Sequence, residues 1–277
     1  MELNWLHSIV FGLVSGIAEL LPVSAPAHEA LVNKLFGMGD IPLLRLLVHA
    51  AVWEALYLSL HEEVNLMLQE REISRIPPRQ RHRHPDPVRI RDLKLTRTAL
   101  LVMILGFVAA YFLRSVPMDL SKIAVFLLIN GVILYIPGHL PAGNKDSRSM
   151  SPADGVMLGL SAAAAIFPGI SRMGAVISTA TGRGAGKENA LHWALLLDLG
   201  AMLVVMGYDS LDLLTAGLGM ISVPTMICCA LACAAAFAGA FAGIRMMRFL
   251  AFRTGISGFA YYCWGAALFA FLMYLTI

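Results

Sequence analysis

Apolar residues fall along this chain in blocks long enough to cross a lipid bilayer. Ala99 to Leu113 carries no charge, Met220 to Ile244 is apolar or small throughout, and Gly255 to Ile277 is again uncharged. Stretches near ~20 apolar residues match the hydrocarbon thickness of a membrane. With no water at that depth, the backbone must bond to itself, so these blocks read as helices. The pattern predicts continuous spanning helices near 41–60, 98–114, 120–137, 188–207, 217–243 and 255–276.

Two further apolar stretches, 5–36 and 154–182, are interrupted. The first break reads L-L-P-V-S-A-P-A-H over residues 20–28, and the second F-P-G-I-S-R-M-G over 167–174. Proline removes a backbone donor and restricts the residue before it, and glycine permits tight turns. Such breaks survive at membrane depth only where protein or a wet cavity satisfies the freed backbone, so both read as re-entrant helical hairpins. Gly12-Leu13 precedes Pro22 by nearly the interval that separates Gly159-Leu160 from Pro168, and each break presents a serine, Ser24 or Ser171. Matching interruptions in two halves are the mark of inverted repeats. The expectation is an all-α integral membrane protein, a single polytopic domain over 1–277. It has about six transmembrane helices and two re-entrant hairpins, with repeat one at about 1–137 and repeat two at about 150–277.

Composition agrees with the pattern: 58% of residues are hydrophobic and 14% charged, against roughly a quarter charged in a soluble domain. The N-terminus lacks the basic segment of a signal peptide, and Glu19 and two prolines follow its apolar run. Cys228, Cys229, Cys233 and Cys263 lie in apolar stretches without zinc-ligand spacing and read as small packing residues. The net charge of +3 identifies no partner; the distribution of charge says more. A polar segment, 61–97, carries nine Arg and Lys residues and reads as a cytoplasmic loop that sets orientation, with anionic lipid as a secondary contact. No aromatic interleaving or recognition motif suggests nucleic acid. The positive-inside rule puts 138–153 and 245–253 on the same side. The connections holding Asp119, Asp209 and Asp212, and both termini, then fall outside.

Ionisable residues at membrane depth usually face a cavity and act there. Glu19, Ser24 and His28 cluster at the first break, and Ser171 and Arg172 at the second. A guanidinium stays charged and grips phosphate with parallel hydrogen bonds. Helices restarting after Ser24–Pro26 and after Ser171 would add free N–H groups and a partial positive charge, so that the breaks form an anion site with Gly169 and Gly174 beside Ser171 and Arg172. Glu19 then needs a proton, a divalent cation (Mg or Ca) or Arg172 as partner, and is the candidate metal ligand. His28 is the candidate general acid or base. His49 and Asp198 occupy comparable places on the helices after the breaks and read as supporting or helix-pairing residues. His192 and Glu54 are weaker candidates.

At these breaks the chain resembles the undecaprenyl-pyrophosphate phosphatase, or bacitracin-resistance, family. That family reads E-G-x-x-E-F-L-P-[IV]-S-S-T-G-H and P-G-x-S-R-S-G-A-T-I-S where this chain has S-G-I-A-E-L-L-P-V-S-A-P-A-H (15–28) and P-G-I-S-R-M-G-A-V-I-S (168–178). The stretch 243–262 is similar to the family's last two helices. The resemblance implies hydrolysis of a polyprenyl diphosphate to the monophosphate carrier for cell-wall synthesis. It also implies an active site open to the outer face of a bacterial cytoplasmic membrane. Glu19, Ser24, His28, Ser171 and Arg172 match the family's motif residues, whereas its first glutamate is Ser15 here, its second serine Ala25, its threonine-glycine pair Pro26-Ala27, and its later serine Met173. The alternative functions are a non-hydrolytic polyprenyl-phosphate flippase and a lipid-phosphate binder. A homodimer is a possible assembly.

Overall fold

The computed structural model describes residues 4–111, 118–141, 143–217, 222–253 and 255–276. These form ten α-helices: α1 Trp5–Glu19, α2 Ala25–Leu35, α3 Pro42–Arg75, α4 Pro87–Tyr111, α5 Leu120–Tyr135, α6 Pro152–Ala163, α7 Arg172–Gly182, α8 Lys187–Ala216, α9 Val223–Arg253 and α10 Gly258–Thr276. Five of them (α3, α5, α8, α9 and α10) are long and apolar enough to cross a membrane, and α1 and α6 are shorter apolar helices. The protein is an all-α, multi-pass membrane protein.

Both apolar stretches with breaks fold as helix–turn–helix. Leu20 to Ser24 separates α1 from α2, and a 3-10 turn followed by Phe167–Ser171 separates α6 from α7. Each hairpin returns to the side from which it entered. His7 near the start of α1 stacks on Phe36 just past α2, and Arg183 just past α7 pairs with Asp154 in the first turn of α6 at 2.5 Å. The α6 start is fixed by a capping box, in which Ser151 and Asp154 satisfy each other's backbone donors.

Helix pairing in the first half is matched in the second. α1 packs on α9 as α6 packs on α4, α3 meets α9 as α8 meets α4, and α3·α8 and α5·α10 close the set. The first pair of seams is built on small residues, which allow backbones to touch where lipid supplies no hydrophobic drive between helices. A Cβ on Gly12 or Gly16 would lie 2.1 or 2.2 Å from the carbonyl oxygen of Ala232 or Ala236 on α9. On the other seam a Cβ on Gly159 would lie 2.4 Å from the Ala99 carbonyl oxygen on α4.

Charge separates to the two ends. Glu63, Asp92, Arg183, His192 and the 143–154 connection meet at one end, together with the Arg71–Arg97 segment. Asp40, Arg45, Asp119, Asp209 and Asp212 lie toward the other. At that end Asp119 caps α5, and the Ser121 hydroxyl and Lys122 N–H hold its carboxyl below the usual carboxylate range.

Three boundaries differ from the pattern. The segment 61–97 is not a loop throughout: α3 runs on to Arg75 and α4 begins at Pro87. Residues 61–75 contain no Pro or Gly and many strong helix formers, so nothing stops α3 before Pro77-Pro78. For the same reason α8 continues to Ala216 and ends at Gly217, whose φ is +78°. Asp209 and Asp212 therefore sit on a helix and not in a connection. α9 begins at Val223 and continues to Arg253; the end of the predicted 98–114 helix lies outside the described residues.

Candidate functional site

The two breaks meet in the interior, and each satisfies the backbone that the other leaves open. The Gly169 N–H donates to Ser24 Oγ at 2.9 Å, and Ser171 Oγ donates to the Leu21 carbonyl at 3.2 Å. Asn130 on α5 clamps both: its Nδ2 donates to the Pro22 carbonyl at 3.0 Å and its Oδ1 accepts the Ser171 N–H at 2.9 Å. Asn130 is fully buried, and nothing local marks it in an otherwise apolar helix. Replacing it with leucine leaves the buried Ser171 N–H unpaired, at about 1–3 kcal/mol, and the Pro22 carbonyl with only a long contact from the Cys263 thiol at 3.8 Å. We expect Asn130→Leu to lower the thermal midpoint in detergent by several degrees.

Arg172, the first residue of α7, reaches from the second break to the first. Its Nη2 donates to Glu19 at the end of α1, and its Nε donates to Asp198 on α8. Arg172 and Asp198 are buried, and Glu19 is partly buried at the cavity wall. Asp198 thus touches Arg172 directly and anchors one edge of the guanidinium, leaving the other toward Glu19.

Beside this triad lies a cavity of about 160 Å³ lined by Glu19, Ser24, His49, Ser171, Arg172 and Asp209, with Ala25 and Pro26 at the start of α2. The N-termini of α2 and α7, both 11-residue helices, border it. Their partial positive charge, together with the guanidinium, favours an anion there. Ser24 has φ +72° and is the one non-glycine residue at positive φ among the described residues. That conformation turns its hydroxyl away from capping α2 and across to Gly169. Strain of this kind costs about 1–3 kcal/mol and concentrates at working sites.

The comparisons with known proteins identify the family. Residues 8–269 match the family described as bacitracin resistance protein BacA. The chain belongs to that family. It is 26% identical over 261 residues to the undecaprenyl-diphosphatase of Alkaliphilus metalliredigens, covering 93% of this chain and 94% of that protein. It is also 26% identical over 275 residues to undecaprenyl-diphosphatase 3 of Bacillus cereus, covering 99% of each.

Within this BacA-family fold, not every motif residue reaches the cavity. His28 turns away: its Nδ1 meets the Ser24 carbonyl at 2.8 Å and its Nε2 the Tyr262 hydroxyl at 2.8 Å. It lines a separate apolar groove with Val14, Leu31, Leu35, Tyr262 and Phe269. The cause is helical phase. Ala25, at the cavity, and Glu29 lie about 40° apart around α2, and His28 lies on the other side of Ala25, about 100° from Glu29. Glu29 is the acid on the inner face, buried, accepting from Ser15 Oγ and lying 3.4 Å from His49 Nε2. His49 Nδ1 meets Asp209 at 2.6 Å, and Arg45 holds Asp209 at 2.7 Å. The sequence reading passed over Glu29, Arg45, Asn130 and Tyr262.

The glycines expected to bind phosphate serve elsewhere. Gly169, with φ +118°, spends its N–H on Ser24, and a Cβ there would lie 2.5 Å from Phe126 Cβ. The Gly174 N–H caps onto Ser171 Oγ, and its missing side chain makes room for Leu134 and Pro22. Ser171 lines the cavity, but its N–H is already taken by Asn130. Among the described residues no group of three or more His, Cys, Asp and Glu side chains is arranged to hold a metal ion. Glu19 and Asp198 are both directed at Arg172.

Proposed function

We infer that this protein hydrolyses undecaprenyl diphosphate to undecaprenyl phosphate and inorganic phosphate within a bacterial cytoplasmic membrane. The observation that carries the reading is Arg172. It is a buried guanidinium anchored by Asp198 at the junction of two broken hairpins, with its second edge held by Glu19 and touching the Met202 sulfur at 3.3 Å, beside a cavity flanked by two helix N-termini. The two undecaprenyl-diphosphatase relatives that align along nearly the whole chain support the choice of substrate.

In this reading the diphosphate displaces Glu19 from the Nη2 edge of Arg172 while Asp198 keeps the guanidinium in place. The N-termini of α2 and α7 share the phosphate charge. Ser24, the hydroxyl at the cavity with strained backbone, attacks the terminal phosphorus. The bridging P–O bond breaks, and Glu19, released from its ion pair, takes the serine proton. Water then cleaves the phosphoserine. Ala25 removes the neighbouring hydroxyl, so the nucleophile of this chain is Ser24. A divalent cation bound with the diphosphate would be held by one Glu19 oxygen, leaving the other as base, since Mg²⁺ commonly binds through one or two carboxylates plus substrate phosphates. Such a cation would neutralise phosphate charge.

The matched helix pairings of α1–α5 and α6–α10 support two inverted repeats. The basic end reads as cytoplasmic by the positive-inside rule. The cavity, which includes Asp209, lies toward the acidic end, in favour of access from the outer face.

Phosphate release from undecaprenyl diphosphate by the purified protein in detergent tests the reading. We expect turnover by the wild type and a loss on the order of 10²-fold or more in Ser24→Ala. Absence of release by the wild type, with Mg²⁺ and Ca²⁺ each supplied, would overturn it.

A further inference from the structure

Mechanisms of this kind need a group to protonate the leaving oxygen, and His28 points out of the cavity. The imidazole that faces it is that of His49. We propose that His49 is the general acid of the reaction and that Glu29 and Asp209 are positioning residues that hold it, an inference that rests on the phosphatase reading above.

The geometry is that of a clamped imidazole. His49, Glu29 and Asp209 are 6%, 7% and 4% exposed. Asp209 Oδ2 lies 2.6 Å from Nδ1, and Arg45 Nε donates to the other carboxylate oxygen, Oδ1, at 2.7 Å, which commits the Nδ1 proton to Asp209 and orients the ring. Glu29 Oε1 stands 3.4 Å from Nε2, a looser contact, and its charge favours the imidazolium. Ser15 Oγ donates to that same oxygen, so the Glu29 carboxylate stands beside position 15 although it arrives from the opposite helix of the hairpin. Helix pairing alone does not call for this arrangement, because Arg45 already ties α3 to Asp209 and Asp212 on α8 at 2.7 Å each. The ionisable groups around the ring are Glu29 on α2, Glu19 on α1, Arg45 on α3, Arg172 on α7, and Asp198, Tyr208 and Asp209 on α8.

The step balances as follows. As Ser24 Oγ forms its bond to the terminal phosphorus and its proton passes to Glu19, the bridging P–O bond breaks. The departing undecaprenyl phosphate oxygen takes the Nε2 proton of the His49 imidazolium. Neutral His49 next accepts a proton from the water that attacks the phosphoserine, and Glu19 returns its proton to the serine oxygen. One diphosphate and one water become undecaprenyl phosphate and inorganic phosphate, with every side chain restored.

The test is the pH profile of phosphate release by the full chain in detergent, with undecaprenyl diphosphate as substrate. His49→Gln is expected to lower kcat by about 10²-fold or more with little change in KM. Glu29→Gln removes a negative charge beside the imidazolium, so the fall in rate with rising pH should begin at lower pH than in the wild type. Ser15→Glu, combined with Glu29→Gln, returns a carboxylate to the same spot from α1 and should move that limb back. A rate for His49→Gln within threefold of wild type overturns the proposal. So does a Glu29→Gln profile that superimposes on the wild type, a measurement that stands even where His49→Gln fails to fold. Absence of release by the wild type overturns the phosphatase reading and this inference together, whereas an active His49→Gln overturns this one alone.

Discussion

Replacing Arg172 with alanine is expected to abolish phosphate release and to destabilise the protein at the same time. Among the described residues the guanidinium is the one cation paired with both Glu19 and Asp198. Removing one partner of a buried ion pair costs about 3–5 kcal/mol, because charge is left uncompensated, above all on the buried Asp198. Set against a total stability of about 5–15 kcal/mol, that is a large fraction. Loss of fold and loss of chemistry therefore have to be separated. Arg172→Lys keeps the charge but presents one point instead of a planar fork, so it cannot serve Asp198 and a phosphate together. We expect Arg172→Lys to unfold close to the wild type in a detergent melt, yet to release phosphate about 10²–10³ times more slowly. Near-wild-type turnover in Arg172→Lys would show that the second edge of the guanidinium holds no substrate.

The second large effect is expected far from any charge, at Gly16. A Cβ there would stand 2.2 Å from the carbonyl oxygen and 2.9 Å from the carbonyl carbon of Ala236, and both are backbone atoms of α9 that cannot rotate aside. Leucine at this position must push α1 off α9 along the seam that Gly12 and Ala232 continue one turn away. The expected cost is about 3 kcal/mol or more, at the upper end for overpacking. Activity should fall as well, because Glu19 lies at the end of the displaced helix, three residues on. Gly265 on α10 supplies the control. A Cβ meets nothing within 4 Å there, so Gly265→Ala should be tolerated and should gain slightly in helix propensity. Thermal unfolding and gel filtration in the same detergent compare the two variants directly.

The breaks were legible because proline and glycine inside an apolar run have few other meanings. Pro22, Pro26, Pro168 and Gly169 marked turns that the structure puts at Leu20–Ser24 and Phe167–Ser171. The meeting of Glu19 with Arg172 followed from charge economy in a membrane. Facing, however, depends on helical phase, and phase was not available until the start of α2 was fixed at Ala25. A shift of one residue decides whether His28 or Glu29 points inward, and the motif drew attention to the histidine. Asn130 and Tyr262 gave no signal, since their partners, Pro22 with Ser171 and His28, lie more than a hundred or about forty residues away in the chain. Asp209 was assigned to a connection because the hydrophobic pattern fades before the helix does. The length of α8 carries it back under the cavity beside His49.

The same fading pattern hides the reach of α3. With 34 residues at about 1.5 Å each, it measures about 51 Å, against a hydrocarbon layer of about 30 Å. The excess is about 20 Å, divided between its two ends, and the Arg83–Glu70 pair ties the chain beyond its C-terminal tip back to its flank. At physiological salt a charge is felt over about 8 Å. Arg75, Arg79 and Arg81, at or past that tip, are thus set farther from the lipid headgroups than Arg91 and Arg97 further along α4, to which a hold on anionic lipid falls first.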